Sequence, residues 1–131
     1  MLENGRAKAA YDYCSKCDKS ILSEYRTRVI NMPFMIKTNG LAGAIAFLLS
    51  KNKPAYTLLY QNIMDWLIKK ELIHEVISDK NRGKQGDQLL VQLLEVDSLQ
   101  YRMITMETMA LLNWMKRFCD SFYAISNMEK E

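Results

Sequence analysis

The sequence predicts an all-α protein, a compact single-domain bundle of about six helices spanning residues 1–131. Two observations predict this fold class. Apolar residues recur at spacings of three and four in almost every segment, whereas the alternation typical of β-strands is absent. The segments that interrupt this pattern are short, as they are between neighbouring helices of a bundle. With 131 residues, of which 49% are apolar, the chain is long enough for one domain with its own core.

Charge and cysteine content narrow the classes of protein that fit the chain. A net charge of +3 permits contact with nucleic acid without arguing for it, because strong binders carry a larger excess on one face. Residues 1–10 carry charges and no apolar core, so we predict no signal peptide. The longest apolar run, residues 41–49, is too short to span a bilayer. Three cysteines, an odd number, indicate a reducing cytoplasm.

Two helices are predicted before residue 31. The first runs from residue 6 to about residue 18 and places five residues on one face: Ala7, Ala10, Tyr11, Cys14 and Cys17. Ser20, or alternatively Ser23, caps the second helix. Its inward residues are Leu22, Tyr25 and Val29.

Residues 31–51, NMPFMIKTNGLAGAIAFLLSK, are the predicted packing centre of the protein. Pro33 fits the first turn of a short helix, and Asn39-Gly40 then supplies a left-handed cap that ends it. Another helix starts at Leu41 and is apolar on nearly all sides, which indicates burial. Small residues at 42–44 and 46 would let a neighbouring backbone approach closely. The stretch contains no catalytic side chain.

Three further helices are predicted after this centre. Pro54 opens a helix from residue 55 to about residue 77. Residues 78–87 hold two glycines and several charges, so we expect a mobile loop there. Asp87 caps a short helix that ends near Glu95. Asp97 or Ser98 caps the final helix, which reaches about Ser126.

The final helix has two different faces. One stripe consists of Ile104, Leu111, Met115, Phe118, Phe122 and Ile125. The opposite half mixes charged, polar and apolar side chains: Arg102, Met106, Met109, Asn113, Lys116 and Arg117. A helix of this kind either fills the middle of a bundle or contacts another protein.

The packing centre also carries a resemblance to a known family. Its sequence resembles the signature of the small helical subunit of the Cmr complex, the type III-B CRISPR effector. The resemblance continues, in order, through Arg6-Ala7, Glu24-Tyr25, Ala55-Tyr56, Leu59-Tyr60, Trp66-Leu67, Asp97-Ser98, Tyr101-Arg102 and residues 111–118, LLNWMKRF. The structural signature positions are Pro33, Asn39, Gly40, Phe47 and Trp114. Residues 78–88 lie outside the resemblance.

The resemblance implies a non-catalytic subunit of an RNA-targeting ribonucleoprotein in antiviral defence. Members of this family stack in a few copies along the complex and help to hold the duplex of guide and target RNA, while another subunit cleaves the target. The implied partners are other Cmr subunits, further copies of this chain, guide RNA and target RNA, without a membrane. The implied location is the cytoplasm, and no cofactor is implied.

The residues themselves indicate no active site. Cys14 and Cys17 form a C-x-x-C pair, but a zinc site needs two more ligands, and Cys119 and His74 have no paired spacing. Buried structural cysteines are the favoured interpretation, and His74 is predicted to lie on a helix surface. Gly83 and Gly86 lack the pattern of a phosphate loop. We therefore predict that the protein is not an enzyme and binds no metal, with a small metal-dependent enzyme as the weakest alternative.

Basic residues are the best candidates for a binding site. The candidate RNA-binding residues are Lys37, Lys51, Lys116, Arg117, Arg26 and Arg28, with Lys53 among the same basic set. A groove that follows phosphates needs cations and no base-specific contacts. Ordinary surface charge is the alternative interpretation of these residues. If it holds, the protein is a helical adaptor or scaffold that binds only protein.

Overall fold

The chain forms five α-helices in a computed structural model that describes residues 5–75 and 87–129. The helices are α1 Arg6–Ser15, α2 Leu22–Ser50, α3 Pro54–Lys69, α4 Gln88–Glu95 and α5 Ser98–Glu129. No strand occurs within these two ranges. The predicted all-α class is confirmed, with five helices in place of about six.

One apolar core joins all five helices. The helices α2 and α5 form its centre, with α3 and α4 packed on α2 and α1 packed on α5. Its largest fully buried side chains include Tyr25, Leu48, Ile63, Leu89 and Leu111. The buried side-chain amide of Asn62 is paired and donates to the Tyr25 hydroxyl over 2.6 Å. Burial of apolar surface is therefore the main stabilising contribution, as in other helical bundles.

Pro33 does not start a helix, contrary to the prediction. It lies inside α2, which runs on from Leu22. Proline lacks the amide hydrogen that would bond to the Val29 carbonyl, but its backbone angles fit a helix. Burial of Val29, Met32 and Ile36 on one side of α2 holds the helix together across that position. The two helices predicted on either side of Pro33 are consequently one. The helix predicted from Leu41 also belongs to α2, beyond the break at Gly40, so the count is five.

Gly40 breaks α2 into two halves. Its φ is 79°, so the predicted positive φ is correct, but its ψ of 163° is extended, so the predicted left-handed helical cap is wrong. This combination of angles is almost restricted to glycine. After the break, the Ala42 amide donates to the Tyr101 hydroxyl over 2.8 Å. Tyr101 of α5 thus satisfies one of the amides that the new helix start leaves without a helical partner.

The helix α3 ends at Lys69, eight residues before the predicted end. Glu71 has a φ of 60°, its amide bonds to the Ile68 carbonyl, and the Leu72 amide bonds to the Leu67 carbonyl. These are the two backbone bonds of a Schellman motif, with glutamate in the place where glycine is usual. No glycine marks the end in the sequence, and the periodic apolar residues beyond it favoured a longer helix.

His74 therefore follows α3 and does not lie on a helix, although it is exposed as predicted. Its amide donates to the Gln92 side-chain oxygen over 2.8 Å, and its carbonyl accepts from the Gln92 side-chain nitrogen over 2.6 Å. This pair of bonds fixes the chain after α3 to α4. Ile77 and residues 78–86 of the predicted loop lie outside the described residues.

Some helix ends and caps lie where the sequence predicted them, and others do not. The helix α1 ends at Ser15 and not near residue 18. Asp87 precedes α4 as predicted, but its side chain makes no capping hydrogen bond. Asp97 does cap α5, because its carboxylate accepts from the Gln100 amide over 2.8 Å.

The predicted inward stripe of α5 is correct in its first half. Ile104, Leu111 and Met115 are fully buried. Phe118 and Phe122 are only partly buried, and 51% of the Ile125 surface is exposed. The exposed residues of the opposite half are Arg102, Met106, Asn113, Lys116 and Arg117.

The 29 residues of α2 are long and apolar enough to cross a membrane by length and composition alone. Core helices of soluble proteins can be equally long and apolar. Here α2 packs on α3, α4 and α5 and is broken at Gly40. We therefore assign it to the protein interior.

Candidate nucleic-acid interface

Two aromatic rings meet where α2 is followed by α3. Phe47 lies one turn before the end of α2, and Tyr56 lies in the first turn of α3. Their ring centroids are 5.8 Å apart, with the ring planes at 51°. Pro54 starts α3 soon after α2 ends, so the connection is short and the two rings face each other across it.

Three cations surround these rings. The Arg28 guanidinium carbon lies 5.2 Å from the centroid of Tyr56, and the Lys53 ammonium lies 5.9 Å from the same centroid. The Lys51 ammonium lies 5.3 Å from the centroid of Phe47. We call this set of five residues, Arg28, Phe47, Lys51, Lys53 and Tyr56, the α2–α3 corner. Ring faces carry negative potential, which lets the three cations gather there.

The α2–α3 corner carries uncompensated positive charge. None of its three cations forms an ion pair with an acidic side chain of the described residues. The Nε of Arg28 is buried and has no hydrogen-bond partner there. A buried donor without an acceptor costs free energy, on the order of 1–3 kcal/mol.

A surface groove adjoins the corner. It has a volume of about 500 Å³ and is lined by Lys16, Lys53 and Asn52 among others, with Asp18 as its acidic residue. Lys53 belongs to both the groove and the corner. The positive surface therefore extends from the end of α2 towards the end of α1.

Arg26 is engaged within the protein. Its Nε donates to the Asp120 carboxylate over 2.8 Å, and its guanidinium carbon lies 4.7 Å from the centroid of Tyr123. The ion pair ties the start of α2 to the end of α5 and neutralises the charge. Among the six candidate cations, Arg26 is accordingly the least suited to an external anion.

The remaining candidates lie elsewhere. Arg117 lies over the ring of Trp114, 5.1 Å from its centroid, on α5. Lys37 and Lys116 are exposed on α2 and α5, and neither contacts the rings of the corner in the described structure. The fold thus brings Arg28 and Lys51 together and leaves the others apart.

Sequence reasoning missed the part played by Tyr56, which the sequence analysis named only within the resemblance. The signal that could have revealed the corner is the spacing of Phe47 and Lys51, four residues apart at the end of α2, which places them on the same side. Of the signature positions, Phe47 belongs to the corner, and Gly40 forms the break in α2. Trp114 stacks on Phe118, with centroids 5.9 Å apart.

The cysteines lie together in the interior. Cys14, Cys17 and Cys119 are all free and buried. Cys14 and Cys119 are neighbours, with 3.1 Å between their sulfur atoms. Within residues 5–75 and 87–129, no group of three or more His, Cys, Asp or Glu side chains is arranged to hold a metal ion.

Comparisons with known proteins extend these observations. The family model described as CRISPR-associated protein (Cas_Cmr5) matches residues 2–122. A curated relative, the CRISPR system Cmr subunit Cmr5 of Thermus thermophilus, is 28% identical over 98 residues, which are 75% of this chain and 74% of the relative. The fold is similar to the crystal structure of a CRISPR-associated Cmr5 family protein from the same organism. That match has a TM-score of 0.71 and 24% identity, and it covers 92% of this chain and 96% of the other.

Proposed function

The chain belongs to the Cas_Cmr5 family of CRISPR-associated proteins, and on that premise we propose that it is a non-catalytic small subunit of a type III-B Cmr complex that contacts RNA. It acts in the cytoplasm beside other Cmr subunits and further copies of itself. Its contribution to RNA binding is to attract the sugar–phosphate backbone of the guide–target duplex. The observation that carries the proposal is the unpaired positive charge of the α2–α3 corner.

The corner is suited to phosphate and not to bases. Arg28, Lys51 and Lys53 supply cations, and no acidic side chain of the described residues pairs with them. Each cation that approaches a phosphate releases condensed counterions, which favours binding of any RNA sequence. Tyr56 is 8% exposed, so its ring supports the cations and is not open for stacking on a base. Sequence selection is then left to pairing between guide and target.

A single subunit contributes little affinity, because three cations release few counterions and the net charge is only +3. Several copies in one complex would act on the same RNA. Their small contributions then combine, since each later contact forms within an already bound complex. Weak binding by the lone chain and tight binding by the assembly are thus both expected.

Removing the three cations of the corner should weaken RNA binding by the assembled complex. For the variant R28Q/K51Q/K53Q we expect roughly tenfold lower affinity at moderate salt, with the salt dependence flattened by about 0.7–0.9 units of slope per cation. The loss should be similar for every target sequence, because phosphates are common to all. Fluorescence anisotropy with labelled target RNA at several salt concentrations measures both quantities.

The matched control is K8Q/K19Q/K69Q, which removes three cations that already pair with Asp12, Glu129 and Asp65. It changes the net charge equally, and we expect it to bind RNA almost normally. The triple variant K37Q/K116Q/R117Q tests the candidates outside the corner in the same assay. If the corner variant assembles and binds with unchanged affinity and slope, its cations serve only solubility.

Binding only to protein is the second candidate function, and one observation favours it. The start of α5 exposes large apolar side chains on one face: Leu99 is 64% exposed, Met103 51% and Met106 65%. Exposed apolar residues grouped in this way are typical of protein contacts. If the assembled complex binds RNA equally well when the cations of the corner and the other candidate cations are replaced, this second function would be supported.

We also expect the purified protein to have no nuclease activity, with or without divalent metal ions. The sequence offers no arrangement of acids, histidines and metal ligands of the kind that RNA cleavage uses. Incubation of highly purified protein with labelled single-stranded RNA is the test. Cleavage that disappears when one residue of this chain is replaced would contradict the expectation.

A further inference from the structure

Two thiols that are far apart in the sequence meet in the interior. Cys14 lies on α1 and Cys119 on α5, 105 positions apart, and their sulfur atoms are 3.1 Å apart. Cys14 is 2% exposed and Cys119 is 0% exposed. Both are free thiols. A disulfide requires an S–S distance of about 2.05 Å, so the two sulfurs need to approach each other by only about 1 Å.

We propose that Cys14 and Cys119 are a site of oxidative modification, at which a small disulfide such as oxidised glutathione converts the two thiols into a bond between α1 and α5. This inference concerns the state of the subunit itself and is independent of whether the α2–α3 corner binds RNA. The geometry supports it because the bond links two helices that already pack on each other.

An oxidant can reach these thiols through local opening of α1. This helix has only ten residues and packs mainly on α5, its first turn contains no acidic residue, and its N-terminus has no side-chain cap. Opening of α1 breaks the Arg6–Glu107 ion pair and the Tyr13–Asp65 hydrogen bond, so it occurs in a small fraction of chains at any time. Opening exposes Cys14 on α1 and uncovers Cys119 on α5.

While α1 is closed, the Cys14 sulfur is a poor nucleophile. A hydrogen bond with Cys119, followed by burial, raises the pKa of Cys14 above its usual range. Thiolates are the reactive form, so the closed state resists oxidation. The reaction rate should accordingly follow the fraction of chains in which α1 is open.

The reaction proceeds by two thiol–disulfide exchanges. A thiolate of the pair attacks one sulfur of oxidised glutathione, forms a mixed disulfide and releases one glutathione thiolate. The second protein thiolate attacks the protein sulfur of the mixed disulfide and releases the second glutathione. The two protons lost by the cysteines end on the two released glutathione thiols. Two protein thiols are oxidised by two electrons, and one glutathione disulfide is reduced by two.

Cys17 is not part of this pair. Its sulfur lies 3.6 Å from the Asp18 carbonyl, where the thiol donates a hydrogen bond. Burial, followed by the proximity of Cys119 and Asp18, raises the pKa of Cys17 to about 11. Among the described residues, a sulfur–sulfur contact joins Cys14 to Cys119, whereas the Cys17 sulfur bonds only to a carbonyl. Cys17 therefore lacks a neighbouring thiol with which to complete a disulfide, and it serves as an internal reference.

The test uses the purified full chain, incubated with oxidised glutathione at mildly alkaline pH and then denatured in the presence of a thiol-trapping reagent. We expect two of the three thiols to be lost and peptide mass spectrometry to find Cys14 joined to Cys119. The closed loop restricts the unfolded chain, so the melting temperature should rise by about 5 °C and return to its starting value with a reducing agent. The C17S variant should behave in the same way.

The variants C14S and C119S should show no such rise. If either variant fails to fold, the thiol counts and peptide maps of wild type and C17S still show whether Cys14 and Cys119 form the bond. Retention of all three thiols after prolonged oxidation would overturn the proposal. So would a bond that involves Cys17, or stable attachment of glutathione at Cys17 alone.

Discussion

Replacing Gly40 by valine should lower the free energy of unfolding by about 2–3 kcal/mol and the melting temperature by about 10 °C. Gly40 has a φ of 79° and a ψ of 163°, angles that a residue with a Cβ atom rarely adopts. The break cannot relax into a continuous helix without moving both halves of α2, which are buried on each side of it. The strain therefore remains in the folded state. Thermal unfolding followed by circular dichroism measures the loss.

We expect this cost to come from backbone strain and not from a steric clash. A Cβ atom at Gly40 would lie 3.4 Å from the Tyr101 hydroxyl oxygen, which is an ordinary contact distance. Alanine at position 40 should consequently cost nearly as much as valine, since the backbone angles are the problem. The control A46V places valine at an exposed helical position and should cost less than about 1 kcal/mol. An unchanged melting temperature for G40V would mean that the break has another conformation in solution.

Replacing Glu107 by alanine should cost about 3 kcal/mol, because it breaks a largely buried ion pair from one side. The Arg6 Nε lies 2.6 Å from one carboxylate oxygen of Glu107, and a second Arg6 nitrogen lies 3.1 Å from the other. The Trp66 indole also donates to this carboxylate, over 2.9 Å. Only 15% of the Arg6 side chain and 12% of the Glu107 side chain are exposed. Urea unfolding at pH 7 measures the cost, and D12A, which removes an exposed ion pair, is the control.

The same carboxylate should make stability depend on pH. Burial acts to raise the pKa of Glu107, but the hydrogen bonds from Arg6 and Trp66 outweigh it and the net pKa is lowered. The stabilisation is therefore complete above the unfolded pKa of about 4.3 and is lost as the pH falls through the folded pKa. The E107Q variant keeps an acceptor for Trp66 without the charge. Its deficit relative to wild type should shrink between pH 7 and pH 3, and a constant deficit would contradict this assignment.

Local patterns in the sequence predicted the helical class and several helix limits. The limits of α4 follow from its periodic apolar segment, and the start of α5 follows from the Asp97 cap. Two signals misled the prediction because tertiary contacts outweigh local preference at those positions. Pro33 continues a helix that the core holds in place, and Glu71 adopts a positive φ that usually indicates glycine.

The candidate site was only partly visible in the sequence. Its cations could be named, because residue charge is read directly from the sequence. Their grouping could not, since Arg28 comes from the first half of α2 and reaches Tyr56 on α3 only after the chain folds back. The same applies to the pairing of Arg6 with Glu107 and of Cys14 with Cys119, which are each more than 100 positions apart.

The packing of α1 on α5 has a consequence for how the protein is made. The ribosome synthesises α1 long before α5, and contacts such as Arg6 with Glu107 span 101 positions. At typical elongation rates of about 5–20 residues per second, α1 waits roughly 5–20 s for its partner. During that time its apolar face has no surface to cover it. We expect the nascent chain to gain its final resistance to proteases only after α5 has left the ribosome.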